Sequence, residues 1–154
     1  MSKKKVKLGS PIFANPFYIK CPVAASQVFY RRSGHFVYIS SGNVTVADSG
    51  TGELFGWALT GKNYTSSSTA GADTLTIDTN PFHVWEIPAR DTFTAANLKA
   101  YIGDTCDLEV SNSIQYADNG ESNEDTIVIV GGDVDEQTLY VHMNPNKCYQ
   151  TGIA

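Results

Sequence analysis

A chain of 154 residues, 42% hydrophobic and 18% charged, has the size and composition of one folded domain and not of a disordered or fibrous protein. Its formal charge of −5 hides a division: residues 1–47 carry seven basic side chains and no acid (+7), whereas residues 48–154 carry all 16 acids against four basic residues (−12). No apolar run approaches the roughly 20 residues of a membrane-spanning helix, and the basic start MSKKKVKLGSPIF lacks the apolar stretch of a secretory signal, so no membrane partner is expected.

Residues 1–16 read as an extended arm. Lys3, Lys4, Lys5 and Lys7 precede Gly9, Pro11 and Pro16, which surround an isolated apolar pair, Ile12-Phe13, without helical or strand periodicity. Prolines restrict such a segment to extended shapes and lower the entropy lost when it docks. Residues 17–154 read as a single β domain. Strand-like runs are expected at 17–20, 27–31, 35–40, 43–47, 54–59, 74–78, 82–87, 105–110, 114–117, 126–130 and 138–143. Turn signals sit between them at Ser33-Gly34, Ser41-Gly42, Ser49-Gly50, Asn119-Gly120 and Gly131-Gly132, and Ser41-Gly42 predicts a tight hairpin over 35–47. The polar stretch 61–73 is either a mobile surface loop or an excursion that orders on a partner. One helix is predicted, capped by Thr94, propagated through 95–102 and ended by Gly103. Its stripe of Leu98, Tyr101 and Ile102 would plug one end of the β structure. Many short strands and one short helix indicate an all-β fold, an antiparallel β-sandwich or small β-barrel with an extended N-terminal arm.

The residues carry no catalytic signature, and no catalytic, metal or cofactor site is expected. His35, His83 and His142 lie far apart on strand-like runs, without the spacing of a metal site. There is no G-x-S-x-G elbow, and the glycines at 50, 52 and 56 lead into a strand, where a phosphate loop needs a helix N-terminus. The acidic segment 118–125 has oxygen ligands for Ca²⁺ but not the order of an EF-hand loop, and a solvated turn is the preferred reading. Cys21, Cys106 and Cys148 are odd in number and widely spaced, as expected for reduced, buried thiols in a chain made in a cytosol.

Binding is therefore the expected role. A lysine cluster invites nucleic acid, yet a −12 body repels a polyanion, and the arm has no arginine. Apolar Ile12, Phe13, Phe17 and Tyr18 beside Lys3, Lys4, Lys5 and Lys7 suit a protein groove better, so no direct nucleic-acid contact is expected. Ile12, Phe13, Phe17, Tyr18, Arg31 and Arg32 are the expected contacts, with the four lysines steering the approach.

An extended arm and the runs after it carry a resemblance: Glu53-Leu54-Phe55-Gly56-Trp57-Ala58, then Phe82-His83-Val84-Trp85-Glu86-Ile87-Pro88-Ala89 and Tyr101-Ile102-Gly103-Asp104-Thr105-Cys106-Asp107-Leu108, and the late strand and turn Ile127-Val128-Ile129-Val130-Gly131-Gly132-Asp133, closed by residues 138–144. In this order, over roughly residues 50–145, the chain resembles the head-decoration, or capsid cement, proteins of tailed bacteriophages. The resemblance implies a β-barrel or sandwich that sits on the outer surface of the virion capsid. It would bind the major capsid protein at coat-subunit junctions, stabilise the shell without enzymatic activity and self-associate as a dimer or trimer. The long arm and the 61–73 stretch depart from the shortest members. The alternative is a receptor- or glycan-binding module of a phage tail or surface structure, with Trp57, Trp85, Tyr64 and Tyr116 as sugar platforms. A small hydrolase or metal-dependent enzyme is motivated only by scattered Cys, His and Asp.

Overall fold

The computed structural model describes residues 17–60 and 63–148. The arm residues Lys3, Lys4, Lys5, Lys7, Ile12 and Phe13 lie outside the described residues. In chain order the elements are β1 (Tyr18–Pro22), β2 (Val28–Phe29), β3 (Phe36–Ser40), β4 (Asn43–Val46), β5 (Gly56–Ala58), β6 (Tyr64–Thr65), β7 (Thr74–Asp78), β8 (Trp85–Pro88), α1 (Ala95–Tyr101), β9 (Thr105–Ser111), β10 (Ile114–Asp118), β11 (Ile127–Asp133) and β12 (Thr138–Met143). The fold is mostly β with one helix, and its strand ladders are antiparallel.

The first half builds a five-stranded sheet in the order β1-β7-β5-β3-β4. Its two ends meet through a short parallel bridge at Val23 and Val44, where Ala24 N–H donates to Val44 O at 2.9 Å, so the sheet nearly closes into a barrel. The second half builds another five-stranded sheet, β10-β9-β11-β12-β8. Its ends approach at Ala89 and Ala117, where Arg90 N–H donates to Ala117 O at 2.9 Å. Period-2 alternation then divides the core. Along β3, Val37 enters a cluster with Cys21, Phe29, Val44, Ala58 and Ile77. Its neighbour Phe36 faces the other way, into a cluster with Trp57, Ile87, Leu108, Ile127, Leu139 and Met143. Phe36, Val37, Ile127 and Leu139 are fully buried, and burial of each such side chain contributes about 1.5–3 kcal/mol.

The 35–47 hairpin has the expected tight turn: Ser40 pairs with Asn43, and Ser41 and Gly42 adopt φ of 48° and 77°. Positive φ at both central residues is the type I′ geometry that matches strand twist. A second such turn, Asn112-Ser113 with φ of 51° and 64°, joins β9 to β10 and lacks glycine, which is why the sequence did not signal it. The helix is capped as predicted. Thr94 Oγ1 accepts from Asn97 N–H at 3.2 Å, Asn97 Oδ1 accepts from Thr94 N–H at 3.0 Å, and Gly103 follows with φ of 94°.

Four expectations need correction. Gly131-Gly132 is not a turn but the interior of β11, beside a register shift between Ile129 and Gly131. A Cβ on Gly132 would lie 2.7 Å from Thr138 O, so glycine here serves close strand approach at a bulge. The helix covers its end of the structure with Leu98 and Tyr101 only, because Ile102 is the C-cap and 54% exposed. The 82–87 strand begins only at Trp85, since Asp78 and Asn80 side chains accept from Asn80 and Phe82 N–H and turn the backbone before it can pair. Finally, Lys20, Arg31 and Arg32 belong to the same folded body as the acids, because β1 and the 31–33 turn are built into it. Among the described residues the charge division along the sequence is not a division in space.

Candidate binding surface

The exposed apolar side chains nearest the arm are Phe17, Tyr18 and Ile19, which are 38%, 39% and 43% exposed. Their backbone is set by β7: Tyr18 lies opposite Asp78, Ile19 opposite Ile77 and Lys20 opposite Thr76. Phe17 O accepts from Thr79 N–H at 2.9 Å, and Val23 N–H donates to Asp73 O at 3.0 Å. In an antiparallel ladder alternate residues hydrogen-bond to the partner, so residues 17, 19, 21 and 23 turn their polar groups to β7. Tyr18, Lys20 and Pro22 turn theirs to the opposite edge. Tyr18, Ile19, Lys20 and Thr76 line an apolar hollow of about 470 Å³ on this strand. Phe17 and Tyr18 are among the contacts expected from the sequence, whereas Ile19 and Lys20 are not. The unbroken apolar run Phe17-Tyr18-Ile19 was the available signal, since alternation fails where neither face of a strand is covered.

Arg31 and Arg32 sit elsewhere, on the exposed turn after β2, where Arg31 N–H donates to Asn63 Oδ1 at 2.8 Å. With Glu86, Pro88, Tyr116 and Glu136 they line a groove of about 650 Å³. Among the described residues neither guanidinium has an ion-pair partner. The groove and the β1 hollow share no lining residue, so the structure places the predicted contacts in two patches and not one.

The polar groups that looked most like chemistry are tied into the fold. His35 is buried, its Nε2 2.6 Å from Tyr30 O, between the rings of Phe29 and Trp57. His83 Nδ1 bonds the buried carboxylate of Asp78, and His142 Nδ1 lies 2.7 Å from Met143 O. In the acidic turn, Asp107 accepts from the backbone N–H of Asn123, Glu124 and Asp125 at 2.7–3.0 Å. Asp118 is paired with Arg90 at 3.1 Å, and Arg90 also meets Glu109 at 2.5 Å. Among the described residues no three His, Cys, Asp or Glu side chains gather where they could hold a metal ion. Cys21, Cys106 and Cys148 are buried and form no disulfide, and burial pushes the Cys21 and Cys106 thiols up, away from the reactive thiolate.

Asp125 supplies a measurable consequence. Hydroxyl donation from Ser122 at 2.5 Å and Thr105 at 2.7 Å holds its carboxyl below the usual aspartate range. A carboxylate depressed on folding stabilises the fold above its unfolded value, roughly pH 3.9. That stabilisation is lost as pH falls through the lower folded value. Thr105→Val removes one donor, and Tm measured from pH 5 down to pH 2.5 is expected to fall less steeply than in the parent; an unchanged slope would contradict the assignment.

Two of the other candidate features also resolve structurally. The 61–73 stretch is held by the body over its described part: β6 pairs with β2, and the Asp73 carboxylate accepts from Tyr64 OH at 2.9 Å and Ser67 N–H at 2.7 Å. Burial, reinforced by Asp73, raises the Tyr64 phenol. Trp57 is 9% exposed and stacks on Trp85 with centroids 4.6 Å apart, so Trp57 is interior and cannot serve as a sugar platform. Compared with family models, curated proteins and solved structures, the chain has no match.

Proposed function

We propose that this protein is a non-enzymatic decoration protein that binds the outer surface of an assembled viral capsid at coat-subunit junctions and stabilises the shell. The observation that carries the reading is the exposed apolar cluster Phe17-Tyr18-Ile19 at the root of the lysine-rich segment 1–16. A ligand that binds only the assembled state shifts the assembly equilibrium toward it. Weak individual contacts gain avidity when many copies occupy a lattice. Ile12, Phe13 and Phe17 supply apolar contact in this reading, Lys3, Lys4, Lys5 and Lys7 steer the approach, and Arg31 and Arg32 offer a second, cationic contact to coat carboxylates.

The test is deletion of residues 1–16. The described body holds its own ladders and core, so the truncated protein is expected to keep its circular dichroism spectrum and cooperative unfolding. Its co-sedimentation with purified empty shells is expected to drop at least tenfold. Undiminished binding would sink the arm-mediated model.

A further inference from the structure

We propose that β1 is a self-association edge: two copies join antiparallel along Tyr18–Lys20 about a twofold axis through Ile19. The register follows from the hydrogen-bond alternation of the β1–β7 ladder. Because Thr79 N–H reaches Phe17 O and Val23 N–H reaches Asp73 O, the backbone N–H and C=O of Tyr18 and Lys20 point away from β7. Among the described residues no strand lies along that edge. β1 is terminal in its sheet, and the closing bridge to β4 pairs Val23 with Val44, with Ala24 N–H bonded to Val44 O, beyond the Pro22 end of the strand. The edge is also short. Pro22 is the next outward-facing residue and has no N–H, which limits donation to Tyr18 and Lys20.

A second copy fits this edge by its own chemistry. An interface on a twofold axis must be self-complementary. Antiparallel pairing across Ile19 sets Tyr18 opposite Lys20 of the other copy, twice, and each of these pairs exchanges backbone hydrogen bonds. On one face an ammonium then meets a phenol ring, an attractive cation–π contact. On the other face Ile19 meets its counterpart and both lose water. Such a pairing buries less than the roughly 1,200 Å² of a stable complex, so the dimer is weak in dilute solution and strengthened where copies are crowded on a lattice. The dimer draws on the same exposed cluster as the capsid reading: it gives Tyr18 and Ile19 to self-contact and leaves Phe17 and the arm to the shell.

Disulfide trapping in the isolated protein tests it. Residues facing each other at a non-hydrogen-bonded antiparallel pair have Cα atoms about 4.5 Å apart, within disulfide reach. Oxidation of Ile19→Cys is expected to give a covalent dimer in several-fold higher yield than Ile102→Cys, which sits at a comparably exposed site, while the native cysteines stay buried. Adding Lys20→Pro removes an outward N–H and leaves the β7 ladder intact, and should return the yield to the Ile102→Cys level. Tyr18→Ala in the Ile19→Cys background should lower the yield several-fold and serves if the proline variant does not fold. A yield no higher than the Ile102→Cys level, or one indifferent to both added substitutions, overturns the proposal. Because no shell is present, failure here is separable from failure of capsid binding.

Discussion

Replacing Gln115 with leucine is expected to cost about 2–4 kcal/mol, measured as the loss in urea unfolding free energy, because it leaves two buried backbone groups, Phe36 N–H and Ala47 O, without partners, while Phe36 O keeps Ala47 N–H. Gln115 is 1% exposed on β10. Its Oε1 accepts from Phe36 N–H at 2.9 Å, and its Nε2 donates to Phe36 O and to Ala47 O, both at 2.8 Å. Its own N–H donates to Ser33 Oγ at 2.9 Å, and its carbonyl accepts from Gly34 N–H at 3.3 Å. One polar side chain of the second sheet therefore completes the hydrogen bonding at the ends of β3 and β4 in the first. Leucine matches the volume but offers neither donor nor acceptor, and each orphaned group costs roughly 1–3 kcal/mol. A loss below about 1 kcal/mol would mean that the two sheets are held by apolar packing alone.

Gly56→Ala is expected to cost about 3 kcal/mol and to lower Tm by roughly 10 °C for a domain of this size. The added Cβ would lie 2.4 Å from Asp78 O and 2.6 Å from Ile77 Cγ2. Both neighbours belong to β7, which is pinned between β1 and β5, so the clash cannot be relieved by a flexible side-chain tip. Gly42→Ala makes a useful contrast: nothing lies within 4 Å of its Cβ, but φ is 77°. That change should cost only the left-handed backbone penalty of about 1–2 kcal/mol. Equal effects at the two positions in thermal unfolding would contradict the packing account of Gly56.

These two sites also show what kind of information a sequence holds. Gly56 lies in a run that reads correctly as a strand, yet nothing around it in sequence indicates that β7, 20 residues later, passes too close for a side chain. Gln115 reads as an ordinary polar residue at an alternating position. Its role depends on Phe36 and Ala47, 79 and 68 residues away. Strand β6, Tyr64–Thr65, was invisible for a similar reason, because two residues have no periodicity and take their conformation from β2.

The candidate surface divides along the same line. Exposed aromatic residues beside a basic segment were legible as a binding feature. What was not legible is that Tyr18 and Lys20 share an open sheet edge whereas Arg31 and Arg32 line a separate groove. Contacts expected to act together are set apart because β1 is held by β7 while the 31–33 turn is held by β10, through Ser33, Gly34 and Gln115.

By itself the sequence determined the all-β class, the helix with its Thr94 cap and the Ser41-Gly42 hairpin. Those features rest on period-2 alternation, side-chain capping and positive φ, all interactions between residues a few positions apart. Tertiary structure alone decided that each sheet curls until its ends meet at one bridge, that Trp57 and His35 are interior, that Gly131 and Gly132 sit inside a strand, and that the Tyr18–Lys20 edge of β1 lies clear of that bridge. Each of those outcomes depends on which distant strand arrives alongside. The charge division at residue 48 belongs to both: it is written in the chain, and folding then sets Lys20, Arg31 and Arg32 among the acids, because hydrophobic burial and strand pairing, not charge, decide where each segment lies.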